Sequence, residues 1–317
     1  MIKMSDFIWV EKYRPETIDD CILPQNIKKT FQGFVDSGQI PNMLLSGLPG
    51  VGKTTVAKAL CKQLGVDCLV INGSDEGRFL DTVRNNAKTF ASTVSLFESE
   101  AKHKVIIIDE ADNTGKDVQL SLRAFIEEFS NNCRFIFTCN YKYKIIDPLH
   151  SRCVSVDFSI NPEDRSEVSH LFFKRIKYIL ENENIEYEDI VLAKLIKSYF
   201  PDWRRILNEC QRYSVCGKID SGILAEFADV VVDDLITYLK EKNFNSVRKW
   251  ATDHYYNGLV LILRKIYDVL VKEIDGPSIA AIVLIIAKYD FQSERAADQE
   301  LHLLAALTEI MVECNFK

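Results

Sequence analysis

The eight residues Gly47-Leu48-Pro49-Gly50-Val51-Gly52-Lys53-Thr54 have the types and spacing that hold a triphosphate. Phosphate oxygens are reached by a backbone that can wrap them closely, and Gly47, Gly50 and Gly52 stand where side chains would collide. Val51 lies between the last two glycines, Lys53 supplies a cation, and Thr54 offers the hydroxyl that ligates magnesium in such loops. An apolar strand-like run, Asn42 to Ser46, precedes the loop. A helix-like run from Thr55 to Gln63 follows it and would aim its positive N-terminus at the phosphates.

A second cluster closes the run Val105-Ile106-Ile107-Ile108-Asp109-Glu110, a continuous apolar stretch ending in two acids. Asp109 is suited to hold magnesium through water, and Glu110 to polarise an attacking water as a general base. Taken by itself such a strand end is as readily a cap, but beside the glycine loop the pair becomes hydrolytic. A third strand, Arg134 to Asn140, ends in Thr138-Cys139-Asn140. Asn140 could orient water or touch the terminal phosphate; a plain cap at the strand end is the competing reading.

These groups need a scaffold that brings several strand ends to one edge. From Ile40 to about Phe158 short apolar runs alternate with helix-like segments, the pattern of a mainly parallel sheet flanked by helices. The strands expected are Asn42 to Ser46, Cys68 to Asn72, Val105 to Asp109, Phe135 to Asn140 and Val154 to Phe158.

Beyond Asn161-Pro162 the strand signal stops, and an all-helical region is expected. Asp164 reads as the N-cap or first-turn acid of a helix carrying Val168, Leu171, Phe172 and Ile176. A second helix places Leu192, Leu195, Ile196 and Tyr199 on one face before Pro201 stops it, and a third starts at Arg204. After about Val232 come wide apolar faces, including Ile279, Ile282, Val283 and Ile286, then Leu301, Leu304, Leu307 and Met311. They fit buried bundle helices, or helices that pack on neighbouring subunits.

With 317 residues, 47% of them hydrophobic and 27% charged, the chain is globular in composition and long enough for two or three domains. The expected division is 1–160, 161–230 and 231–317. The start lacks the apolar core of a secretory signal, and no apolar stretch approaches the roughly 20 residues a bilayer requires. A cytosolic protein with no membrane partner is expected, in the host cytoplasm if the source is viral. Nine cysteines without a CxxC pair read as reduced, mostly buried thiols rather than a zinc site. The net charge of -7 excludes a uniformly basic coat but leaves room for a local basic strip.

Beyond these residue-level readings, the chain resembles the sliding-clamp-loader ATPases of the replication factor C type, within the AAA+ class, and most of all those of bacteriophages. The resemblance lies in Trp9-Val10-Glu11-Lys12-Tyr13-Arg14-Pro15, in Ile71-Asn72-Gly73-Ser74-Asp75, and in Asn140 through Ser151-Arg152-Cys153. Its motifs run from residue 9 to about 210. It implies an α/β P-loop domain, a helical lid and an all-helical C-terminal collar, with ATP and Mg2+ bound.

The resemblance implies that Val10, Glu11, Lys12, Tyr13 and Ile22 wrap adenine and ribose, with Thr55 following the P-loop; a plain edge strand with a basic turn is the alternative. It makes Arg152 an arginine finger reaching the phosphate held by the next subunit, an effect of about 10³ to 10⁵ in rate where such fingers act. Arg204 matches the lid arginine that touches bound nucleotide, although Pro201 and Trp203 depart from the family's Gly-Asp-Met-Arg-Arg. Gln119 and Arg123 share a helix face at i and i+4 and would pass DNA engagement between sites; a solvated polar face is the alternative. Arg78, Arg84 and Lys116 would follow DNA phosphates, unless they are ordinary surface residues.

A finger acting in trans requires head-to-tail neighbours. The implied partners are the sliding clamp, further copies of this chain, a different clamp-loader subunit, primer-template DNA and, indirectly, a DNA polymerase. The implied function is ATP-dependent clamp loading in DNA replication. Two rivals remain: a ring helicase or branch-migration motor, and a scaffold subunit that binds ATP without hydrolysing it.

Overall fold

The computed structural model describes residues 7–74, 89–90, 103–215, 217–220, 232–255, 259–293 and 296–317. They fall into two compact units, Met1–Ser221 and Gly222–Lys317.

The first unit is organised by a five-stranded parallel sheet in the order β2-β3-β4-β1-β5. Its strands are β1 (Met43–Ser46), β2 (Cys68–Asn72), β3 (Lys104–Asp109), β4 (Cys133–Cys139) and β5 (Val154–Asp157). Each falls where an apolar run was expected, within two residues at either end. The two-residue period of a strand sends alternate side chains to opposite faces. Val105, Ile107 and Ile136 therefore join Phe31, Val56 and Leu60 on one side, from the helices Gln25–Ser37 (α2) and Lys53–Gln63 (α3). Ile106, Ile108, Phe135 and Phe137 meet Leu122, Phe125 and Ile126 of Lys116–Glu128 (α4) on the other. Burial on both faces explains why these strands read as unbroken apolar runs.

Because every strand is parallel, their C-terminal ends share one edge, the place where open α/β sheets bind ligands. Ser46, Asn72, Asp109 and Cys139 are the last residues of four of them. A short helix, Trp9–Lys12 (α1), precedes the sheet. Its backbone is pinned to the helical segment by Trp9 N–H donating to Gln211 Oε1 at 2.9 Å. The four-residue helix Asp147–His150 (α5) links β4 to β5.

The helical segment consists of Arg165–Asn182 (α6), Asp189–Tyr199 (α7) and Trp203–Ser214 (α8). Asp164 holds the N-cap position of α6 without a side-chain cap bond, whereas Asp202 caps α8 by accepting from Arg205 N–H at 3.0 Å. The expectation of an all-helical region needs correction. Glu186–Tyr187 (β6) and Lys218–Ile219 (β7) form a two-stranded parallel ladder, and two residues are too short for any periodicity to announce.

The second unit is helical, with Val232–Lys240 (α9), Phe244–His254 (α10), Leu259–Glu273 (α11), Gly276–Ser293 (α12) and Gln299–Glu313 (α13). Leu259, Ile262, Leu263, Ile266 and Leu270 are buried as their spacing requires. Val283 and Leu301 are exposed, at 44% and 64%, so the apolar faces of α12 and α13 are wider than the bundle covers. Among the described residues no helix is long and apolar enough to cross a membrane.

Candidate active site

The loop after β1 returns to α3 through residues in the left-handed region, Gly50 at φ 77° and Gly52 at φ 96°. Gly50 is also closely approached: a Cβ there would lie 1.9 Å from Asp202 Oδ1 and 3.1 Å from its Cα. No side chain caps α3 at Gly52, which leaves its first N–H groups turned to the loop, an arrangement suited to an anion. Lys53 is buried, with Nζ donating to the carbonyls of Gly47 and Leu48, both at 2.8 Å, and to Asn140 Oδ1 at 2.9 Å. Burial lowers its pKa from the ordinary lysine value, opposed by Cys139 and by the acids Asp112 and Asp109.

At the end of β3, Asp109 Oδ1 accepts from Thr54 Oγ1 and from Thr138 Oγ1, each at 2.6 Å. Glu110 leaves the strand at φ 55° and begins the 3-10 turn Ala111–Asn113. Its backbone N–H donates to Thr138 Oγ1 at 3.0 Å, while its carboxylate accepts from Ser74 Oγ and from Asn113 Nδ2. Asn140 is oriented through its main chain, because Asp112 Oδ2 accepts the N–H groups of Asn140 and Tyr141 at 3.1 and 3.0 Å. Two hydroxyls and a carboxylate thus meet beside a cation and an amide, the groups needed to bind a phosphate chain and activate a water.

One cavity runs from these strand ends towards the N-terminal stretch and the helical segment. Lining it are Val10, Tyr13, Ile22, Gly50, Val51, Gly52, Lys53, Thr54 and Thr55, with Asp109, Glu110, Asn140 and Arg204. Glu11 and Lys12 are not among the lining residues. Glu11 pairs with Arg14, which lowers its carboxyl pKa, and Lys12 Nζ pairs with Glu183 at 2.6 Å. Arg204 faces the cavity while its neighbour Arg205 lies over the Tyr199 ring at 4.3 Å.

The remaining sequence candidates lie elsewhere. Arg152 does not line the cavity; its Nη2 pairs with Glu127 Oε1 at 2.6 Å and its Nη1 donates to Pro148 O at 3.0 Å. Gln119 is buried, with Nε2 donating to the carbonyls of Thr114 and Lys144 at 3.1 and 3.2 Å, and Oε1 accepting from Ile146 N–H at 2.9 Å. One amide thereby spans the chain that follows the acids and the chain that leads to Arg152. Arg123 is half exposed, with Nε 3.8 Å from the same Glu127 that Arg152 holds. Lys116 is exposed at the start of α4, and Arg78 and Arg84 lie outside the described residues.

Sequence reasoning missed Arg14, which donates from Nη1 to Thr55 Oγ1 at 3.2 Å, and Arg175, which lines the cavity and donates to Tyr13 O at 3.1 Å. It also passed over Thr138 and Asp112 as functional groups. Asp112 had a readable signal, a third acid two residues beyond Glu110; Arg175 had none, being one arginine on an amphipathic helix.

Residues 43–160 match the family model of the ATPase family associated with various cellular activities (AAA). Residues 164–225 match that of the sliding-clamp-loader large subunit, AAA+ ATPase lid domain. The chain is 37% identical to the sliding-clamp-loader large subunit of Escherichia phage RB69, over 100% of this chain and 99% of that protein. It is 32% identical to the replication factor C small subunit of Sulfurisphaera tokodaii, over 97% of this chain and 96% of that one. The structure of the Thermotoga maritima RuvB Holliday junction branch migration motor shares its fold alone, with a TM-score of 0.53 at 19% identity over 69% of this chain and 73% of that one. Similarity of this extent along the whole chain makes it a member of the sliding-clamp-loader family of AAA+ ATPases, an ATPase subunit that works in ATP-dependent clamp loading.

Proposed function

We propose that this chain forms ATP sites shared between head-to-tail neighbours, in a ring or open spiral that opens a sliding clamp and sets it on primer-template DNA. One observation carries the reading: the cavity gathers Lys53, Asp109, Glu110, Asn140 and Arg204, and Arg152 is not among its lining residues. A finger that lies outside its own cavity would serve the next one, once it leaves the Glu127 carboxylate with which it pairs here. Copies of this chain and a different clamp-loader subunit fill the assembly, a DNA polymerase follows it on the clamp, and the work takes place in the host cytoplasm.

Within one site, the backbone of residues 50–54 and Lys53 cradle the phosphates, and Val10, Tyr13 and Ile22 enclose the base. The oxygens of Thr54 and Asp109, 2.6 Å apart, are hard donors that fit magnesium, which takes one or two protein oxygens and completes its shell with phosphate and water. Held on the Thr54 and Asp109 side of the site, Mg2+ would supply positive charge to offset that of the phosphates. Glu110 takes the proton of the attacking water, Asn140 orients that water, and Arg152 of a neighbour stabilises charge on the transferring phosphoryl. Arg204 reads the nucleotide from the lid, so ATP and its hydrolysed form favour different lid angles; such differential affinity is what can move an assembly. Gln119 and Arg123 join site to finger, and Lys116, Arg78 and Arg84 follow the DNA backbone.

The test is the ATPase rate with and without primed DNA, clamp and partner subunit. Strong stimulation only when all three are present is expected. Robust unwinding of a forked duplex without a clamp would contradict the reading.

A further inference from the structure

Thr138 is buried to 2% exposure near the end of β4, one residue beyond the Ile108–Phe137 pair of the β3–β4 ladder. Its position beside β3 lets one hydroxyl make two bonds of opposite sense. It donates to Asp109 Oδ1 at 2.6 Å and accepts from Glu110 N–H at 3.0 Å. A threonine hydroxyl has one proton and two lone pairs, so both bonds are satisfied together.

Each bond acts on a different acid. Asp109 Oδ1 takes Thr138 and Thr54 at equal distances, so the carboxylate is held between β4 and the P-loop helix. Glu110 has a left-handed backbone, φ 55°, a conformation that a non-glycine residue keeps only when its surroundings hold it. Its N–H has left the strand ladder at that point, and the Thr138 hydroxyl receives it. On the far side, Asn113 N–H donates to Glu110 O at 3.0 Å and Gly73 N–H to Asp109 O at 2.7 Å. The backbone of the two acids is thus gripped from three sides; Asn113 holds Glu110 by both its carbonyl and its carboxylate, and Thr138 ties the Asp109 carboxylate to the Glu110 backbone.

We propose that Thr138 is a positioning residue for ATP hydrolysis: its hydroxyl locks the Asp109 carboxylate and the Glu110 backbone into one unit, so that the two acids keep a fixed spacing. This rests on the reading of Asp109 as the magnesium-side acid and Glu110 as the base. Loss of the hydroxyl would leave nucleotide affinity largely intact while loosening both the metal side and the water side of the site.

The experiment compares Thr138→Val, which removes the hydroxyl at nearly constant shape, with Thr138→Ser, which keeps it, in the full-length assembled protein. Three quantities are read: kcat and KM for ATP, the Mg2+ concentration that half-saturates binding of a fluorescent ATP analogue, and the melting temperature. The valine variant should lose about 10- to 100-fold in kcat and need severalfold more Mg2+, with KM within about twofold, as for other residues that orient a metal ligand. Serine should restore both. If valine does not fold, Thr138→Ala must show the same losses. A lower melting temperature with kcat and Mg2+ dependence unchanged would overturn the proposal, leaving Thr138 a structural contact. Glu110→Gln run in parallel separates the two levels. If it leaves turnover intact, the underlying site reading fails; if turnover collapses there but not in the Thr138 variants, only the present inference fails.

Discussion

Glu110 and Ser74 are joined side chain to side chain, with the Glu110 carboxylate accepting from the Ser74 hydroxyl just beyond the end of β2 and from Asn113 Nδ2 at 3.2 Å. Both bonds fall on Oε2, turning the Glu110 carboxylate towards β2 and engaging one of the two oxygens that the proposed base would offer to a water proton. Ser74→Ala is expected to raise the unstimulated ATPase rate severalfold and to weaken its dependence on DNA, by removing one of the two side-chain bonds. Steady-state turnover with and without primed DNA checks this; an unchanged or lower basal rate would mean the bond has no restraining role.

The P-loop and the lid meet where Asp202 crosses Gly50. Asp202→Asn preserves an oxygen that can cap α8 and should leave the melting temperature unchanged, while Asp202→Ala should cost about 1 kcal/mol in stability. Gly50→Ala faces both a left-handed φ and the Asp202 backbone 3.1 Å from the new carbon. It is expected to weaken nucleotide binding by at least about tenfold, given the strain of a Cβ at such a φ. Equilibrium titration with a fluorescent ATP analogue and thermal melts separate these effects.

Cys61 and Cys68 give the one thiol pair with a distinctive titration among the described cysteines. Cys68 is exposed, and the hydrogen bond from the Cys61 thiol lowers its pKa to about 7, with Lys58 assisting. Burial pushes Cys21, Cys153 and Cys210 up to about 12. A lowered pKa means that thiolate is present above neutrality and lost as pH falls through 7, so alkylation of Cys68 should rise to half its plateau near pH 7. Removing the donor with Cys61→Ala should move that midpoint towards the ordinary thiol value of about 8.5. Peptide mapping after iodoacetamide at a series of pH values gives the profile.

The sequence made the sheet legible because both faces of β3 and β4 are covered, which turns those strands into unbroken apolar runs that end in polar groups. The phosphate loop was legible for the same local reason, since Gly50, Gly52, Lys53 and Thr54 are contiguous in the chain. What stayed hidden depends on register between segments. Thr138 reaches Asp109 and Glu110 only because β4 lies beside β3 in one alignment. Lys12 finds Glu183 across 171 residues, and Gln119 finds Lys144 through a turn that no pattern specifies. Length hid the β6–β7 ladder, and a helix cannot tell from its own sequence that Val283 and Leu301 will be left uncovered.

The shared site is tested most directly by mixing two full-length variants, Arg152→Ala and Lys53→Ala, with the partner subunit, clamp and primed DNA. Each variant assembled alone should be nearly inactive. In mixed assemblies some interfaces unite the intact P-loop of one subunit with the intact finger of its neighbour, and ATPase activity should rise above that of either variant. Mixed assemblies that form, yet hydrolyse ATP no faster than the single variants, would contradict a finger that acts across the interface.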